Sequence, residues 1–111
     1  MKLELKIVFE KRIVNAKSLI LANKLDEAFR ELEIAHVLGQ KYVVPHTISH
    51  LYMLRIGILK KDFKEVFGQL LRIPLGILGS LVGIVPTGNT GGSNVSAFKK
   101  MEISNEYKNL L

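Results

Sequence analysis

The chain contains no cysteine. That excludes disulfides, thiolate metal sites and cysteine nucleophiles, and it fits, without proving, a cytoplasmic location. No uninterrupted apolar run reaches the ~20 residues of a spanning helix. The most hydrophobic stretch, residues 73–85, is broken by Pro74 and by glycines. It reads as a buried helix, with peripheral membrane contact as the lesser reading. The amino-terminal residues do not read as a signal peptide, because Glu4 and Glu10 interrupt them. Phosphate-binding signatures are missing too: there is no G-K-[ST] and no G-x-G-x-x-G, and no nucleophile elbow marks a serine hydrolase.

Acidic residues are the minority, 10 against 16 basic ones, for a net charge of +6. The amino-terminal basic residues Lys2, Lys6, Lys11, Arg12, Lys17 and Lys24 are spread around a helix without interleaved aromatics. They read as a solvated face, not as a nucleic-acid surface. With 111 residues, 48% hydrophobic and 23% charged, the composition predicts one ordered domain. The expected core spans 1–98, and the patternless tail 99–111 is expected to be flexible.

The pattern predicts an all-α fold. Leu5, Phe9, Ile13, Ala16 and Ile20 form one helical stripe. A second helix is predicted over 24–38, N-capped by Asn23, with Leu25, Ala28, Phe29, Leu32, Ala35 and His36 as its stripe and Gly39 just past its end. A third starts near Pro45, runs to about Lys60 and is apolar nearly all round, which predicts a central, buried helix. Asp62 and Glu65 make a capping-box variant, followed by an apolar stripe of Phe63, Val66, Phe67, Leu70 and Leu71. Pro74 is expected to end or kink that helix, leaving a short fifth one over 75–82. L-D-E-A-F-R-E-L at 25–32 aligns without gaps with F-K-E-V-F-G-Q-L at 63–70. The fold class is therefore four to five helices as two packed, repeat-like helical hairpins, with a Gly-rich C-terminal loop and tail. Tetratricopeptide repeats look similar, though the spacing here exceeds their ~34 residues.

All three histidines fall between 36 and 50. Glu33 and His36 are three apart and His46 and His50 four apart, so each pair shares a helix face. A hairpin turning between Gly39 and Pro45 brings the pairs together. Glu33, His36, His46 and His50 are the candidate metal ligands, suited to one zinc, iron or copper ion; haem is a weaker alternative. Residues 87–96, T-G-N-T-G-G-S-N-V-S, offer turn chemistry and polar groups. Asn89, Thr90, Gly91, Gly92, Ser93 and Asn94 are the candidate ligand-binding residues, as a wall of the site or as an anion cradle.

The motifs H-V-L-G-Q-x-x-V-x-P-H-x-x-x-H, M-L-R, G-Q-L-L-R-I and P-T-G-N-T-G-G-S-N-V-S, spread over residues 26–101, resemble a family of small bacterial proteins known only as domain-of-unknown-function family 3703. The resemblance implies a bacterial origin and a small helical domain, and carries no activity. The expected function is metal binding at the histidine hairpin. The rivals are a non-catalytic interaction module, with a protein partner or a second copy, and anion or nucleotide binding at the loop.

Overall fold

A computed structural model describes residues 1–111. The chain forms α1 (Leu3–Leu21), α2 (Leu25–Gly39), α3 (Val43–Lys60), α4 (Phe63–Val82) and a single turn, α5 (Asn105–Lys108). Neighbours in sequence are neighbours in space: α1 packs on α2, α2 on α3 and α3 on α4. This is the predicted pair of hairpins.

The predicted stripe of α1 is its buried set: Leu5, Phe9, Ile13, Ala16 and Ile20. Four of these join Ala28, Leu32 and Ala35 of α2 and Met53 and Ile56 of α3 in one apolar cluster. None of that cluster comes from α4. The α2 boundaries are close to those expected, but two capping roles differ. Asn23 is not the N-cap; it takes a left-handed turn conformation (φ 58°), and Lys24 precedes the helix. Gly39 is the last helical residue rather than the one beyond. It is small because a Cβ there would lie 2.7 Å from the Cβ of Pro45, so the glycine lets α3 enter close against the end of α2. Pro45 sits in the first turn of α3, where a missing N–H costs little.

Three expectations about the second hairpin are corrected. Helix α3 is not buried all round: His46, Ser49, His50, Met53, Ile56 and Gly57 face inward, whereas Leu51, Ile58 and Leu59 are exposed. Pro74 does not break α4, which continues through it to Val82. The proline sits on the side away from the rest of the molecule, where the carbonyl it leaves unbonded can meet water. Most consequential, the apolar stripe of α4 is outside. Phe63, Phe67, Leu70 and Leu71 are all more than half exposed, and Leu78, Leu81, Val82 and Ile84 continue that face, so the 73–85 run is not a buried helix. By length and composition alone α4 could cross a membrane. The side it turns inward carries Glu65, Gln69, Arg72, Gly76 and Ser80, at steps of four, three, four and four. Asp62 caps the helix as predicted, accepting from the Glu65 N–H. The tail returns to α1, where the Arg12 guanidinium donates to the Tyr107 hydroxyl at 2.9 Å and to Glu31 at 2.8 Å.

Candidate metal centre

His36 lies in the last turn of α2, and His46 and His50 lie on consecutive turns of α3. The tight connection at residues 40–42 sets these stretches side by side. The three rings meet with centroids 4.6–4.8 Å apart, and all three residues are at least 96% buried. Their Nε2 atoms form a nearly equilateral triangle: 3.0 Å from His36 to His50, 3.0 Å from His36 to His46, and 3.1 Å from His46 to His50. With metal–nitrogen bonds of about 2.0–2.1 Å, ligand nitrogens stand about 2.9 Å apart at right angles and about 3.4 Å apart at tetrahedral angles. The triangle falls between these values.

The other ring nitrogen of each histidine fixes its tautomer. The Nδ1–H of His36 donates to the backbone carbonyl of Asn89 at 2.7 Å. That of His50 donates to Gln69 Oε1 at 2.6 Å. The amide orientation of Gln69 is set in turn, because its Nε2 donates to Glu65 at 2.7 Å and to the Gly91 carbonyl at 2.9 Å. His46 Nδ1–H meets Ser80 Oγ at 2.8 Å, and the serine uses its single proton on the Gln40 carbonyl at 2.7 Å. With every Nδ1 protonated, the Nε2 atoms point unprotonated lone pairs at one another.

Burial, and then the mutual repulsion of the rings, pushes the His36 imidazole well below its ordinary range. Burial first likewise pushes His46 and His50 down to about 4. Both effects favour neutral rings over imidazolium. Converging lone pairs without a proton form a receptor for a Lewis acid, and outer hydrogen bonds of this kind orient metal-bound imidazoles.

Glu33 is not in this group. The cluster of ligand atoms comprises His36, His46 and His50. The Glu33 carboxylate lies 3.7 Å from Arg30, with Thr90 beside it, and burial pushes its carboxyl up. A haem held between two of these histidines does not fit: its two axial imidazoles stand on opposite faces of a macrocycle, and nitrogens 3.0–3.1 Å apart leave no room for one.

The glycine-rich loop lies against His36, whose ring meets the Asn89 carbonyl and the backbone of Gly91. Its polar groups are largely engaged internally. The Gly88 N–H donates to Gln40 Oε1, the Gly91 N–H to Asn89 Oδ1, and Ser93 donates through both its N–H and its hydroxyl to Glu65. Asn89 is buried, and its amide donates to the carbonyls of Ser96 and Lys99. The N–H groups of Gly88, Gly91 and Ser93 are thus taken by side chains of the protein itself. Gly91 must be glycine: its φ is +89°, and a Cβ there would stand 2.6 Å from His36 Cδ2. Gly92 packs on Phe29, while Asn94 is exposed, away from the histidines.

Sequence reading missed Gln69, Ser80 and Arg72. The first two hold ring nitrogens, and Arg72 lines the same cavity as the histidines. Their spacing on α4 is a usable signal, masked by the stronger apolar stripe on the opposite face of that helix.

No curated protein and no solved structure shows significant similarity to the chain. A family model described as "Protein of unknown function (DUF3703)" matches residues 3–111. The histidine hairpin and the loop that locks it therefore sit within a chain that belongs, over almost its whole length, to the DUF3703 family.

Proposed function

We propose that this protein is a mononuclear transition-metal protein, with His36, His46 and His50 as its protein ligands and the remaining coordination facing a cavity. The observation that carries this reading is the set of three Nδ1–H donors, each held by a separate acceptor, so that three unprotonated Nε2 atoms converge. Three neutral imidazoles without thiolate or carboxylate suit zinc, iron or copper. A site with three protein ligands keeps a position for water or a small ligand, and a metal there lowers the pKa of bound water towards about 7. The cavity, about 290 Å³, is lined by all three histidines.

The test is the metal content of untagged protein by elemental analysis, and its uptake of added zinc, iron or copper. About one equivalent is expected, falling sharply in His46→Ala. Wild-type protein that neither contains nor takes up metal would make the cluster structural. A second reading, an interaction module, draws on the exposed apolar face of α4, since large exposed patches mark contact sites. It predicts partner capture that a chelator leaves unchanged.

A further inference from the structure

The metal reading fixes three ligands and says nothing of what occupies the cavity side. We infer that this position takes a small monocarboxylate with a short apolar body, anchored on Arg72; the inference rests on the three-histidine metal site.

Three features lead there. The first is Arg72 itself. Its guanidinium is held by two carbonyls, Nη1 donating to Gly68 at 3.1 Å and Nη2 to Val95 at 2.7 Å. Its Nε is enclosed and has no hydrogen-bond partner. That N–H has no accessible surface, but only one of the two N–H groups on each terminal nitrogen is bonded, so Arg72 keeps donors for a ligand in the cavity that it lines. The second is charge. The cavity lining includes Arg72 and Lys100 and no aspartate or glutamate. Neutral imidazoles leave the full charge of a divalent ion uncompensated, and the Arg72 guanidinium lines the same cavity as the three rings. A cation site beside a fixed cation needs an anion, and the protein supplies none inside the cavity. The third is shape. Leu75, Ile84, Val85, Ala97 and Phe98 line the remaining wall. At about 290 Å³ the space lies at the small end of ligand cavities. One carboxylate oxygen on the metal, the other on Arg72 and an alkyl body against these side chains would meet all three demands.

The test uses Co²⁺-loaded full-length protein, whose d–d bands report the metal's ligands, titrated with butyrate and with its neutral isostere butyramide. Butyrate is expected to shift the bands saturably and butyramide to leave them unchanged. In Arg72→Met, Co²⁺ uptake is expected to persist while butyrate binds at least about tenfold more weakly. Arg72→Lys, which keeps the charge without the guanidinium N–H groups, is expected to weaken butyrate as well. Bands that ignore butyrate, equal responses to both probes, or undiminished butyrate binding in both variants would overturn the inference and leave the metal site standing. Absence of Co²⁺ bands in the wild type would overturn the metal reading, and this inference with it. The butyrate–butyramide contrast needs no variant, so the preference for a carboxylate is tested even if one substitution at Arg72 impairs folding, and the milder Arg72→Lys then reads the anchor.

Discussion

Gln69 shows how much one side chain decides. Its amide faces four groups: it accepts from His50 and donates to Glu65 and Gly91, with Met53 Sδ at 3.5 Å. Gln69→Leu keeps the bulk and removes the acceptor, so His50 loses the partner that fixes its tautomer. Metal affinity should fall about 10–100-fold, the usual consequence of removing an outer partner; a competition titration against a chromophoric chelator would measure it. An undiminished affinity would show that the tautomer lock is dispensable. Gly91→Ala is expected to be harsher, because the new methyl meets the His36 ring and the backbone there has φ +89°. Metal stoichiometry by elemental analysis should drop well below that of the wild type, even where circular dichroism shows the helices intact.

Among the elements, α1 and α2 were legible and α4 was not. The stripe Leu5, Phe9, Ile13, Ala16, Ile20 is apolar and buried, as periodicity requires. In α4 the same reasoning gave the wrong face, because Phe63, Phe67, Leu70 and Leu71 point outward while Glu65 and Gln69 point inward. The internal repeat does not extend to burial. Leu32 is fully buried in α2, whereas Leu70, its counterpart in α4, is 52% exposed. Periodicity identifies faces but not which face wins, and here the two imidazoles of α3 find their hydrogen-bond acceptors, Ser80 and Gln69, on the polar face of α4. The histidine triad itself was legible from spacing and one turn; its lock was not, because the partners lie far along the chain. Two contrasting substitutions test this division. Leu32→Ala should cost about 2–5 kcal/mol in denaturant unfolding, as for other buried leucines. Phe67→Ser with Leu78→Ser, both on the outward face, should change stability by no more than about 1 kcal/mol and leave metal binding intact.

For the molecule as a whole, acid is the natural antagonist. Burial holds His46 and His50 at about 4 in the fold, against about 6.5 in the unfolded chain. Between those values the unfolded state binds more protons, so metal-free stability rises with pH, and it is lost as pH falls from about 6.5 towards 4. Each such histidine contributes a slope of about 1.4 kcal/mol per pH unit. Thermal melts over that window should show Tm dropping with acidification, less steeply in His46→Asn; a flat profile would contradict the buried neutral triad. Metal opposes the same change, and a ligand at a hundred times its Kd adds about 2.7 kcal/mol. The apolar cluster is built from α1, α2 and α3 alone. The site's own ties to α4 are polar, running through Gln69 to His50 and through Ser80 to His46. A metal on Nε2 makes the opposite N–H of each ring a better donor, so binding on one side of the imidazole tightens the attachment of α4 on the other. Amide hydrogen exchange should therefore divide the chain in two. Protection of α1 and α2 should change little with metal, while α4 amides should exchange quickly from the metal-free protein and slow markedly once the ion is bound, making the ion a fastener for the last long helix.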